Sequence, residues 1–141
     1  MEKLLIMGGR RLNGTLAISG MKNARLSPTS VEINGAGFRP GRSPSEAVGS
    51  IRASSYLMGV ELGRFHCTKI AFPGGCKFGV ARPLDYHTRA FEIMGAEMET
   101  TGQGFKGEAP FGLREGKIIL DMASVGATIN IILAAALTPG T

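Results

Sequence analysis

A short β-prone run followed by a polar or glycine-bearing loop occurs three times in this chain, and that internal echo limits the fold more than any other feature. The first copy is residues 15–18 (TLAI) with the loop 19–24 (SGMKNA). The second is 69–72 (KIAF) with 73–79 (PGGCKFG), and the third is 117–120 (KIIL) with 121–128 (DMASVGAT). A helix is readable after the second and third loops. Repetition of a strand, loop and helix unit predicts an α/β fold.

The second-copy helix is expected to begin near Pro83, since proline suits a first helical position, and to stop at Gly95, which suits the left-handed residue after a helix end. Leu84, Ala90, Phe91 and Met94 give it an apolar face. The third-copy helix is expected over roughly 125–137, ending before Pro139-Gly140; it is apolar nearly all round and so is expected to be buried. Residues 97–101 and 104–106 predict a hairpin around Gly102-Gln103-Gly104. Residues 4–7 and 15–18 predict a pairing at the start of the chain. Residues 27–50 hold three Pro, four Gly and five Ser with no sustained period, and read as a loop. A structureless stretch of that length is unusual inside a small domain.

The 141 residues suffice for one domain with its own core, and 43% apolar with 19% charged residues is a globular composition. The longest apolar run, 131–137, has seven residues, well short of the ~20 that span a bilayer. The opening MEKLLIMGG is too short for a secretory signal, so a cytoplasmic protein without membrane partners is expected. Two cysteines and two histidines match no metal-ligand spacing, and neither a metal nor a cofactor is expected.

Charge is uneven. Residues 1–52 carry eight Lys or Arg against three acidic residues, whereas 53–141 carry eight of each. A basic first third suggests an anionic partner, either nucleic acid or a phosphorylated metabolite. Low aromatic content (6%, no Trp) and the lack of a nucleic-acid motif argue against nucleic acid. The loops carry Lys22, Cys76, Lys77 and Ser124, with Arg52 and Arg82 near them in sequence. Backbone N–H groups at a helix start attract anions, and Arg forks suit phosphate and carboxylate oxygens. The residues alone therefore predict a site for a small polyanion. Cys76, between Gly75 and Lys77, reads either as an inert thiol or as one whose thiolate the neighbouring cation stabilises. Ser124 reads as a helix N-cap and His87 as a partly buried helix residue.

Four blocks in order carry a resemblance. They are 19–24 (SGMKNA), 51–54 (IRAS), 72–76 (FPGGC) with 82–87 (RPLDYH), and Asp121 with 124–128 (SVGAT). Together with the apolar helix and TPG turn that follow, the chain resembles the enolpyruvyl transferases that act on UDP-N-acetylglucosamine, over residues 1–26 and 51–141. The resemblance implies a partial inverted α/β barrel, with residues 1–141 one incomplete domain and 27–50 the junction of an internal deletion. It implies transfer of enolpyruvate from phosphoenolpyruvate to the 3-hydroxyl of the nucleotide sugar, the first committed step of peptidoglycan synthesis.

By the same resemblance, Lys22, Arg52 and Arg82 hold phosphoenolpyruvate. Cys76 takes part in protonation, forms a covalent adduct and is the residue alkylated by fosfomycin. Asn23, Pro83, Leu84, Asp85, Tyr86, Ser124, Val125 and Gly126 bind UDP-N-acetylglucosamine. The related enzyme acting on shikimate 3-phosphate and a non-catalytic UDP-sugar or polyanion-binding remnant are the alternatives. Three departures from the family stand out: the short segment 27–50, one extra residue between Cys76 and Arg82, and the stop at Thr141. They lead us to expect a chain with little or no activity alone, and one that self-associates through apolar faces left exposed.

Overall fold

The computed structural model describes residues 3–7, 22–27, 30–34, 38–41, 48–49, 52–74 and 84–140. Among the described residues there are two three-stranded antiparallel sheets, in the strand orders β1-β3-β2 and β4-β6-β5. In the first, β1 (Lys3–Met7) and β2 (Lys22–Ser27) flank β3 (Ser30–Asn34). Leu5 lies opposite Glu32 on one side of β3 and Ala24 opposite Glu32 on the other, and the β2 register slips between Arg25 and Ser27. Two expectations change here. β3 lies inside the stretch read as a loop, because the short alternation Ser-Val-Glu-Ile-Asn suffices for a strand once two neighbours supply its hydrogen bonds. Lys22 and Asn23 open a strand and are not in a loop. The expected partner of β1, residues 15–18, lies outside the described residues; the partner found for β1 is β3.

The rest of the molecule is built around one helix; the sequence Arg52-Ala53-Ser54-Ser55-Tyr56 allows a helix start at Arg52 but does not give the helix its extent. A 3-10 turn, Arg52–Ser55, runs into α1 (Tyr56–Phe65). The helix ends at His66, whose left-handed backbone (φ 59°) lets its N–H bond to Leu62 O at 3.0 Å. The chain then turns at once into β4 (Cys67–Ala71). α2 (Asp85–Ile93) follows, then β5 (Glu97–Thr101), β6 (Gly104–Glu108) and α3 (Val125–Ala135). α2 starts two residues later than expected and is closed by Gly95 at φ +93°, the left-handed glycine that the sequence suggested. The hairpin at 97–108 forms as expected. Thr101 Oγ1 accepts from Gln103 N–H at 3.3 Å and donates to Gly104 O at 3.2 Å across its turn.

The core lies between α1, α2 and the second sheet. It contains Met58 and Leu62 of α1, Ile70 of β4, Leu84, Phe91 and Met94 around α2, and Phe105 of β6, with Ala109, Leu113 and Ala134 at its edges. Burying side chains of this size contributes about 1.5–3 kcal/mol each. Residues 117–120, the third expected strand, form none: Ile119 is exposed and Ile118 only packs against the core's edge.

α3 also departs from expectation. Its buried residues are Ala127, Asn130 and Ala134, whereas Val125, Ile129 and Ile132 face outward, at 76%, 39% and 61% exposure. The reason is the close crossing with α1. A Cβ on Gly59 would overlap the backbone oxygen of Asn130, and one on Gly63 would stand 2.6 Å from Ala134 O. Backbones this close leave room only for small residues between them, so the large apolar side chains of α3 point away from the crossing. No helix among the described residues is long and apolar enough to cross a membrane.

Candidate functional site

Three chain segments meet where α1, α2 and α3 begin or cross, and one side chain ties them. The Asn130 amide is completely buried. Its Oδ1 accepts from Gly59 N–H at 2.9 Å. Its Nδ2 donates to Ser55 O at 3.0 Å and contacts His87 Nδ1 at 2.8 Å. Ser55 and Gly59 are one helical turn apart, so the amide clasps both polar groups of the turn where the 3-10 segment becomes α1. A buried polar group is tolerated when its hydrogen bonds are made, and here both ends of the amide are satisfied.

His87, on the first turns of α2, is 4% exposed. Burial lowers its pKa to about 4; the nearby positive charge of Arg52 works in the same direction and Asp85 opposes. The ring is therefore neutral at pH 7. Its far edge lies under the first turn of α3, where a Cβ built on Gly126 would be 3.6 Å from Nε2. Ser124 caps that helix by accepting from Ala127 N–H at 3.3 Å, as the sequence suggested. Among the described residues, no hydrogen bond reaches the N–H of Val125 or Gly126, so the positive end of the helix dipole presents two free donors. Arg89 of α2 reaches Asp121, ahead of α3, at 3.0 Å.

The structure thus brings together Arg52, Leu84, Asp85, Tyr86, Ser124, Val125 and Gly126 of the expected residues, around the His87–Asn130 pair. Leu84 is buried, Arg52, Tyr86, Ser124 and Gly126 are half-buried, and Asp85 and Val125 are exposed. Cys76, Arg82 and Pro83 lie outside the described residues. For Lys22 and Asn23 the structure describes the strand that carries them, Lys22–Ser27, and not their side chains. Cys67, the other thiol, is free; burial first, then Glu61 and Glu108, push its pKa up, so it is a poor nucleophile. Among the described residues, no three His, Cys, Asp or Glu gather as a metal site.

Sequence reasoning missed Asn130, Gly59 and Gly63. Two signals were available: a lone amide in the apolar run Ile129-Asn130-Ile131-Ile132, and glycines four residues apart on one helix face. It also missed Glu61, fully buried on α1 in a second polar centre. Glu61 Oε2 accepts from Thr68 Oγ1 at 2.6 Å and Oε1 accepts from Gly41 N–H at 3.1 Å.

Comparison with known proteins gives the family and the fold. The family model for EPSP synthase (3-phosphoshikimate 1-carboxyvinyltransferase) matches residues 12–141. A UDP-N-acetylglucosamine 1-carboxyvinyltransferase of Saccharophagus degradans is 32% identical over all of this chain and 43% of its own length. A UDP-N-acetylglucosamine 1-carboxyvinyltransferase 2 of Bacillus subtilis is 39% identical over 99% of this chain and 42% of its own. An EPSP synthase structure from Acinetobacter baumannii superposes with a TM-score of 0.68 at 20% identity, over 98% of this chain and 34% of that one, which gives the fold. The chain therefore spans less than half the length of the curated relatives it matches. The alignment with the S. degradans protein covers 182 positions against 141 residues here, so at least 41 positions within the matched span have no counterpart in this chain.

Proposed function

The chain belongs to the EPSP synthase family of enolpyruvyl transferases, and we propose that its site is built for phosphoenolpyruvate and UDP-N-acetylglucosamine and derives from the enzyme that commits these to cell-wall peptidoglycan synthesis in the cytoplasm. The observation that carries this reading is the meeting of Arg52, the 84–86 segment and the capped start of α3 at one junction, in a chain whose curated relatives are named for that nucleotide sugar.

In this reading the first turn of α3, at Ser124, Val125 and Gly126, offers backbone donors to the nucleotide portion, with Asn23 and the 83–86 segment beside it. Arg52, Lys22 and Arg82 hold the phosphoenolpyruvate anion. The sugar 3-hydroxyl oxygen bonds to C2 of phosphoenolpyruvate as C3 takes up a proton. The C2–O bond to phosphate then breaks, C3 gives up a proton to restore the double bond, and inorganic phosphate leaves with the proton of the hydroxyl. Cys76 serves proton transfer at the enolpyruvyl group.

A second reading keeps the binding and drops the chemistry. It is favoured by the 41 positions within the matched span that have no counterpart here, which we place at residues 27–50. The shikimate 3-phosphate enzyme is the remaining alternative, favoured by the family model.

Intact-mass labelling with fosfomycin, with and without UDP-N-acetylglucosamine, tests the site. The raised pKa of Cys67 makes it an internal control. One adduct on Cys76 and none on Cys67, faster with the nucleotide sugar, is the expected result. No adduct, or equal slow labelling of both thiols, sinks the reading. Phosphate release from the two substrates then separates the two behaviours: turnover supports the transferase, and labelling without turnover supports the binding remnant.

A further inference from the structure

The hydrogen bonds around Asn130 decide more than its own orientation. Gly59 N–H can only donate, so the atom facing it, at 2.9 Å, is the amide oxygen. Ser55 C=O can only accept, so the atom facing it, at 3.0 Å, is the amide nitrogen. Both ends agree, and the usual ambiguity of an amide flip is removed. The same nitrogen stands 2.8 Å from His87 Nδ1. It carries two hydrogens and accepts none, so Nδ1 must be the acceptor and is unprotonated. A neutral imidazole then carries its single proton on Nε2.

Nε2 is the atom beneath Gly126, in a ring that is 4% exposed, and among the described residues no hydrogen bond reaches it. A buried N–H without a partner costs about 1–3 kcal/mol unless something accepts from it. Among the described residues, the groups beside it include the free N–H groups of the first turn of α3 and the charge of Arg52, opposed by the acid Asp85. An oxygen acceptor seated at this helix start would meet the Nε2–H and the backbone N–H groups together, in the field of the Arg52 charge.

We infer that Asn130 is a positioning residue that locks His87 as its Nε2–H tautomer and turns that N–H to the start of α3, making His87 a neutral donor to an oxygen of the ligand bound there. The donor half of the inference rests on the reading given under Proposed function; the tautomer lock stands on the hydrogen bonds alone. A neutral donor discriminates differently from a cation. It recognises a carbonyl or phosphoryl oxygen by direction, and it does not add to the charge that Arg52 already supplies.

Two-bond ¹H–¹⁵N correlation spectra test both halves, and with only His66 and His87 in the chain every ring nitrogen can be assigned. At pH 7 the expected result is a fixed Nε2–H form for His87, beside an averaging spectrum for the exposed His66. Asn130→Asp places carboxylate oxygens where the amide nitrogen stood, and His87 Nδ1 is then expected to gain a proton. Asn130→Gln is the control for packing. A His87 that averages between tautomers in the native chain, or that keeps unprotonated Nδ1 in Asn130→Asp, overturns the lock. For the donor half, UDP-N-acetylglucosamine is titrated while the Val125 and Gly126 amides and His87 Nε2–H are followed. Shifts at all three are expected. Shifts of the amides with none at Nε2–H overturn the donor role and leave the reading of function intact. No shift anywhere overturns that reading and the donor role with it, while the lock is judged by its own spectra.

Discussion

α1 carries two buried polar centres on different faces, built on opposite plans. On the side facing α3, Gly59 gives its N–H to a neutral amide, and Asn130 makes bonds of ordinary length to groups that are all uncharged. On the side facing β4, Glu61 brings a carboxyl group into the interior, where Thr68 and the backbone N–H groups of Gly41 and Lys69 hold it. Burial raises the Glu61 pKa, while the hydrogen bonds from Thr68, Gly41 and Lys69 pull it down, so the fold holds a carboxyl that resists ionisation. The first centre joins three helices with groups that have no charge to desolvate. The second joins one helix to a strand and to the 38–41 segment with a group whose charge is costly. The neutral centre is the one beneath the proposed ligand.

The largest effect should come from breaking the neutral centre at its closest approach. Gly59→Ala gains about 1 kcal/mol in helix propensity. Against that, its Cβ would overlap the Asn130 backbone oxygen, and α1 and α3 must separate. Overpacking of this kind costs about 1–3 kcal/mol, and the Gly59 N–H bond to the amide would lengthen with it. A net loss of about 2–3 kcal/mol in denaturant unfolding is expected. Gly102→Ala, where no atom lies within 4 Å of the added Cβ, should change stability by less than about 0.5 kcal/mol. If the two glycines respond alike, the crossing is not what holds the helices together.

Acid separates the two centres by sign. His87 has a pKa of about 4 in the folded chain against 6.5 when free, so the unfolded chain binds more protons between these values. Stability is then fully present above pH 6.5 and falls, by up to about 3 kcal/mol, as pH drops towards 4. Glu61 acts the other way. Its folded pKa lies above 4.5, so its contribution is fully present below 4.5 and is lost as pH rises through the folded value. Its effect therefore offsets part of the His87 slope. His87→Asn keeps an acceptor for Asn130 and should flatten the curve below pH 6.5. Glu61→Gln should steepen it. Unfolding free energies measured from pH 4.5 to 8 check both signs, and a His87→Asn curve as steep as the native one would falsify the assignment.

The same contrast explains what the sequence disclosed. The α2 boundaries, the hairpin at 97–108 and the Ser124 cap were readable because each depends on local chemistry: an apolar face with a terminal glycine, a Gly-Gln-Gly turn, a hydroxyl before a helix. The family was readable because its four blocks are short motifs in a fixed order. β3 was not, and of α1 only a start near Arg52 was, since a five-residue strand and a glycine-bearing helix draw their stability from partners distant in sequence: β1 for β3, α3 for α1. Residues 117–120 failed in the opposite direction. They have strand-like composition, but no ladder forms on them. The outward face of α3 was misjudged because a fully apolar pattern does not say which residues fit a crossing. Only the small ones do, and they are Ala127, Asn130 and Ala134. Asn130 was the hardest to see, because an amide has meaning only through what it meets, and its partners lie 43, 71 and 75 residues away.

The smallest expected effect sharpens the comparison most. Arg89 and Asp121 tie α2 to the segment ahead of α3 at 3.0 Å, close to the elements that His87 and Asn130 tie beneath them. Both side chains are about two-thirds exposed, at 64% and 65%. Water and salt screen such a pair, and holding two long side chains together costs rotamer freedom. A double-mutant cycle of Arg89→Ala and Asp121→Ala should therefore give a coupling below about 0.5 kcal/mol that fades as ionic strength rises. The matching cycle of His87→Ala and Asn130→Ala should give more than about 1 kcal/mol and ignore salt, because that pair is buried and one partner's loss leaves the other's polar atom unsatisfied. Comparable couplings in the two cycles would mean that the surface pair fixes the start of α3. In that case the orientation of the proposed donors at Val125 and Gly126 would depend on ionic strength, and affinity for a nucleotide sugar would fall with salt more steeply than screening of Arg52 alone could produce.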